Sequence, residues 1–204
     1  MTTAACTAAD LCLPHRFRKM KSLPGDPPDS VPYAYSTQSM DSFLMIAPVG
    51  AEQAMPFTDP ETVVEEIHRC LGEDQGLIEV RSGLTRGRKP FICSVVKTTR
   101  KHGVLYNLTL HLDMGGEVLQ VQGFFDESGI TGDRESEILL LMRQRGIVLE
   151  TENGTEGWFM DPYDDTFTFG VPMNLSEQPQ FDNLFPGHPL SELRKFLKEI
   201  ISEN

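Results

Sequence analysis

Long hydrophobic runs are missing from this chain of 204 residues. It has no segment of the roughly 18 apolar residues that a bilayer-spanning helix needs. Cysteine is scarce: Cys6, Cys12, Cys70 and Cys93 are scattered, and no pair has metal or redox spacing. Such cysteines read as reduced thiols rather than as a disulfide framework. The stretch Met1-Thr2-Thr3-Ala4-Ala5-Cys6 carries no positive charge ahead of its short apolar run, unlike a secretory leader. The cytoplasm is the expected compartment. A Gly-x-Ser-x-Gly elbow and a Walker-type phosphate loop are both absent, which removes the usual anchors for acyl transfer and nucleotide binding. No cofactor is expected.

Basic residues are few and unevenly placed. The net charge is −12, yet residues 1–22 hold Arg16, Arg18, Lys19 and Lys21 against Asp10 alone. Residues 147–187 contain no Lys or Arg, while Glu150, Glu152, Glu156, Asp161, Asp164, Asp165, Glu177 and Asp182 fall within them. A chain this acidic repels phosphate backbones and anionic lipid, so nucleic acid is excluded as the expected partner and a basic protein surface fits. Interleaved with those acids are Trp158, Phe159, Tyr163, Phe167 and Phe169. Aromatic residues are enriched at interface centres and acidic rims steer basic partners, so these five are the expected partner-binding anchors.

What is present elsewhere reads as structure. Residues 1–32 are breaker-rich around Leu23-Pro24-Gly25-Asp26-Pro27-Pro28 and have no periodic apolar face, which predicts a disordered tail. Residues 33–204 read as one domain with an acidic, aromatic elaboration at 147–187. Tyr35-Ser36-Thr37 and Phe43-Leu44-Met45-Ile46 form a first hairpin. Asp59 and Pro60 open a helix whose Val63, Val64, Ile67 and Leu71 share a face. Strands at 77–82, 91–99, 104–112 and 118–125 follow, the last two joined by the turn Asp113-Met114-Gly115-Gly116. A helix runs from Thr131–Asp133 to Arg145, a short hairpin joins 157–160 to 166–170, and a last helix starts at Pro189. The sum is an α+β fold, an antiparallel β-sheet packed with helices.

Candidate chemistry is thin. His111 lies mid-strand beside Asn107 and Thr109, and with a nearby carboxylate it is the candidate acid or base for an enzymatic alternative, which requires a cleft around it. None of His15, His68, His102, His111 and His188 has partners at ligand spacing, so no metal is expected. Asp161, Asp164 and Asp165 lack the turn glycine and distal glutamate of an EF-hand loop.

The order hairpin, helix, antiparallel meander, Gly-x-x-Gly-x-Arg step, helix resembles the PsbP-like superfamily. The carrying residues are Ser42-Phe43-Leu44-Met45-Ile46-Ala47-Pro48, Gln122-Gly123-Phe124-Phe125 and Gly129-Ile130-Thr131-Gly132-Asp133-Arg134. The resemblance spans residues 33–146. That group includes an extrinsic photosystem II protein, a nucleotide-release factor for the Ran GTPase, and bacterial secretion-effector chaperones. The resemblance implies an α/β/α sandwich that binds proteins and usually does no chemistry, and it transfers no functional residue. The expectation is a non-enzymatic adaptor or chaperone-like module, with an enzyme at His111 and a structural homo-oligomer as alternatives.

Overall fold

The structure is a computed structural model that describes residues 7–152 and 154–204. The strands are β1 (Arg18–Lys19), β2 (Val31–Ser36), β3 (Met40–Val49), β4 (Gln75–Leu84), β5 (Pro90–Thr99), β6 (Val104–Asp113) and β7 (Val118–Glu127). They form one antiparallel sheet in the order β1-β2-β3-β7-β6-β5-β4. Helix α1 spans Pro60–Cys70, α2 spans Asp133–Gln144 and α3 spans Pro189–Glu203. Two small ladders lie outside the main sheet: β8 (Leu149–Thr151) with β9 (Gly154–Glu156), and β10 (Phe159–Met160) with β11 (Met173–Asn174).

Period-two alternation decides which face each strand buries. Tyr106, Leu108, Leu110 and Leu112 of β6 join Cys93, Val95, Leu119, Val121, Phe125, Leu44 and Ile46 on one side. Helix α3 lies over that side with Leu190, Leu193, Phe196, Leu197 and Ile200, each 0% exposed. Burying such side chains stabilises the fold by about 1.5–3 kcal/mol apiece. The β6–β7 turn closes at Gly115 and Gly116, whose φ of 88° and 123° favour glycine.

The opposite side is only partly covered. Helix α1 sets Val63 on Leu77, Val80 and Ile92, over the β4–β5 end. Asp59 caps α1, accepting from Thr62 N at 3.1 Å. Toward β3 and β7 this side opens, and the Phe43 and Phe124 rings lie 6.4 Å apart there. Helices therefore sit on both faces of an antiparallel sheet, the expected α+β class.

Two expectations need correction. The segment predicted as a tail is anchored in the core at Ala8, Leu11 and Phe17, while most of 18–29 is exposed; residues 1–6 lie outside the described residues. Ala8, Leu11 and Phe17 are 2%, 6% and 6% exposed. The Phe17 ring meets Phe196 at 5.1 Å and Tyr35 at 5.6 Å. The Asn204 side chain brackets the Cys12 backbone, accepting from its N–H at 2.8 Å and donating to its C=O at 3.2 Å. Isolated anchors separated by prolines leave no periodic pattern, so a pattern search passes over them. The second correction concerns the late hairpin. Phe159–Met160 pairs with Met173–Asn174 rather than with 166–170, because the intervening loop is used to cover the β4 edge.

Phe17→Ala removes a ring from the α3 side of the core. The expected loss is about 3–5 kcal/mol of unfolding free energy in urea titration; a change near zero would restore the tail reading.

Candidate functional site

The 147–187 elaboration is held by buried polar contacts on one side and leaves apolar groups in solvent on the other. Its deepest anchor is Arg134, in the first turn of α2, with a side chain 1% exposed. Its Nε donates to Ser176 O at 2.7 Å, and Nη1 to Ser191 Oγ at 2.9 Å. Its Nη2 reaches Gln178 O at 3.3 Å and Asp182 Oδ1 at 2.9 Å. Burial pulls this guanidinium below its ordinary pKa, and Asp182 opposes the shift. Asp182 also accepts from Arg194 at 3.1 Å, and Arg194 donates to Glu79 at 2.8 Å. One chain of charge thus joins α2, the elaboration, α3 and β4.

A second buried pair ties the elaboration to the sheet. Lys97 Nζ of β5 donates to Glu177 Oε2 at 2.7 Å, with both side chains 3% exposed. Tyr106 OH donates to Glu177 Oε1 at 3.0 Å, and Asn174 N to Oε2 at 2.8 Å. An ion pair this deep is tolerated because both carboxylate oxygens are hydrogen-bonded, by three donors in all.

The third attachment covers the sheet edge. Edge strands expose unpaired N–H and C=O groups. Here Val171 N donates to Gln75 O at 2.7 Å. The Tyr163 hydroxyl accepts from Val80 N at 2.5 Å and donates to Val80 O at 3.1 Å. A Cβ on Gly76 would collide with the Val171 carbonyl oxygen, so this approach requires glycine. His68 of α1 closes the arrangement. Its Nε2 is 3.0 Å from Asp161 Oδ2, and its ring stacks on Phe167 at 4.0 Å and 12°. Asp161 Oδ1 accepts from Tyr163 N and Asp164 N at 2.9 and 3.0 Å.

The five expected anchors therefore separate. Trp158 is 2% exposed, packed with Ile138, Met142, Val148 and Phe181, and is withdrawn as an anchor. Amphipathic α2 needs a partner for its apolar side, and the indole fills that place instead of meeting solvent. Phe167 is engaged with His68. Tyr163 is 46% exposed on its ring but spends its hydroxyl on β4. Phe159 and Phe169 are 52% and 49% exposed. Met160, Leu149 and Leu184, at 44%, 54% and 62%, extend the exposed apolar set and were not singled out by sequence. Only the lack of aromatic character hid them. Glu152, Glu156, Asp164 and Asp165 are exposed on the same elaboration.

His111 is 2% exposed and lies beneath the segment leading to α1. Its Nδ1 accepts from Met55 N at 3.0 Å, and burial lowers its pKa to about 4. Its contact is thus a backbone N–H and not a carboxylate. His188 caps α3 as a neutral ring, Nδ1 accepting from Leu190 N at 3.2 Å. Burial, with Arg134 and Arg194 nearby, lowers its pKa to about 3. At 3.9 Å from Glu127 this neutral imidazole makes no ion pair. Among the described residues no group of three or more His, Cys, Asp or Glu is placed to hold a metal ion.

No protein-family model matches the chain, and no curated protein matches it. Among solved structures, a Pseudomonas aeruginosa protein of unknown function is similar at a TM-score of 0.36 and 11% identity, over 63% of this chain and 94% of that one. A likeness of that degree carries no conclusion about function.

Trp158→Ala is expected to cost about 3–5 kcal/mol in denaturant unfolding, whereas Phe159→Ala and Phe169→Ala leave the melting temperature nearly unchanged. The buried histidines make stability depend on acid. Both are neutral when folded and titrate near their ordinary value, about 6.5, when unfolded. Their contribution is complete above that value and is lost as pH falls toward about 4 for His111 and about 3 for His188. His188→Asn keeps a capping oxygen and removes one titration, so the slope of unfolding free energy against pH should flatten in this range.

Proposed function

We propose that the chain is a non-enzymatic protein-binding module, an adaptor or chaperone-like protein of the PsbP-like kind, whose contact surface lies on the 147–187 elaboration. One observation carries this reading. Phe159, Met160 and Phe169 stand 52%, 44% and 49% exposed on a segment without a single Lys or Arg. Large apolar groups held in solvent among acids match an interface core with a charged rim. The acids would steer a basic partner and raise its on-rate, in a salt-dependent way. The element order and the Gly129–Arg134 step support the PsbP-like assignment. Among the described residues no helix is long and apolar enough to cross a membrane. Free thiols at Cys12, Cys70 and Cys93 fit the cytoplasm.

The open sheet side at Phe43 and Phe124 favours a second reading, closure by a second copy of the chain. Light scattering of the purified protein separates the two.

The test is affinity capture of the full chain from its host at low salt, followed by titration of the captured protein in purified form. The expected result is one basic partner whose affinity falls as salt rises. Phe159→Ala combined with Phe169→Ala should weaken it by about tenfold or more. Equal binding by this double variant would remove the elaboration as the contact.

A further inference from the structure

The elaboration roofs a cavity of about 150 Å³ beside the Lys97–Glu177 pair. Water takes about 30 Å³ in the liquid, so about five waters would fill the space. The cavity lies apart from the exposed outer surface of the elaboration, and Phe159 alone belongs to both.

Its lining has more hydrogen-bond donors than the protein uses. Asn174 is 5% exposed and lines the cavity. Its Oδ1 accepts from Ser176 N at 2.9 Å and Ser176 Oγ at 2.6 Å, which fixes the orientation of the amide. The two N–H groups on Nδ2 are left without a partner among the described residues, yet Nδ2 is not sealed off. It therefore opens onto the cavity. Lys97 has three N–H groups. One is bonded to Glu177 at 2.7 Å, and Lys97 is among the residues that line the cavity. Lys97 Nζ and the backbone N of Asn174 share the oxygen Oε2 of Glu177, which places the ammonium beside the main chain of residue 174. Unused donors in a buried setting call for an acceptor, and beside an ammonium the best acceptor is a carboxylate.

The lining is also acidic. Glu127 and Glu135 belong to it, together with Phe159. Glu127 is already held by Gly132 N and Val104 N, at 2.9 and 3.2 Å. Its pKa is raised first by burial and further by Glu135 and Asp133. His188 also lines the cavity and, being neutral, supplies no compensating charge. A bare anion would meet three carboxylates against one ammonium. A bare cation would leave the donors of Asn174 and Lys97 unpaired. A ligand carrying both charges satisfies both sets of groups, and an aromatic ring in the lining suits its cationic end.

We infer that this cavity is a binding site for a small zwitterion of the α-amino acid class, its carboxylate on Asn174 Nδ2 and Lys97 and its ammonium toward Glu127 and Glu135. The site would couple a small metabolite to the elaboration that forms its roof. The volume limits the ligand to the size of glycine or alanine.

The experiment follows the Asn174 side-chain amide signals in ¹H–¹⁵N spectra of the full chain during titration with glycine and with L-alanine, and separately with acetate and methylammonium. A saturable shift is expected with an amino acid, and a far weaker one with either single-charge compound. Asn174→Asp keeps the oxygen that caps Ser176 and removes the free donors, so affinity should fall about tenfold or more. Glu135→Gln, at a partly exposed helix position, should weaken binding without affecting folding. No saturable shift with either amino acid overturns the proposal. So does acetate binding as tightly as glycine, which would mark a plain carboxylate site. If Asn174→Asp fails to fold, unchanged affinity in Glu135→Gln overturns it equally.

Discussion

A single buried guanidinium holds the upper half of this molecule together. Arg134 is fixed by the first turn of α2, yet its donors are spent on two carbonyls and a carboxylate of the elaboration and on a hydroxyl of α3. Removing a charge from water is costly unless each donor finds an acceptor. The planar fork meets that requirement with partners from separate segments, so those segments can adopt only one relative position. Lysine has the charge but not the fork, and could not span them.

The elaboration then has two sides with opposite physics. Inward, it satisfies the open edge of β4 through Val171 and Tyr163, and stacks Phe167 on His68. An uncovered edge invites pairing with other chains, so this cover is a stabilising feature in its own right. Outward, Phe159, Met160 and Phe169 remain in solvent among uncompensated acids. The inward contacts are what make the outward ones rigid, and rigid anchors lose less entropy on binding. A binding reading therefore gains from the same contacts that a purely structural reading would cite.

Charge placement separates inward-facing from outward-facing acids. Glu177 and Asp182 belong to the acidic count of residues 147–187, but they face inward and are neutralised by Lys97, Arg134 and Arg194. Glu152, Glu156, Asp164 and Asp165 face outward. The steering field of the elaboration is thus smaller than its composition implies, and it is concentrated on the side that carries the exposed rings.

The order of the main strands and helices was legible in the residues themselves, whereas the first hairpin strands run Val31–Ser36 and Met40–Val49, well beyond 35–37 and 43–46. Alternation in β6, the Asp59-Pro60 start of α1 and the glycine pair after Asp113 are local signals, and local physics obeys them. The Arg134 step was visible as a motif, but its role was not, since its partners Ser176, Asp182 and Ser191 are distant in sequence. The same holds for Trp158, whose aromatic character is equally suited to an interface or a core; the apolar side of α2 decided the matter. Phe17 escaped notice because three-dimensional proximity to Phe196, and not any neighbouring residue, buries it. The chain by itself determined its elements and their faces, through backbone geometry and hydrophobic period. Tertiary structure alone decided which acids are paired, which rings are exposed and where unused donors meet a cavity, because those depend on contacts between residues far apart in sequence.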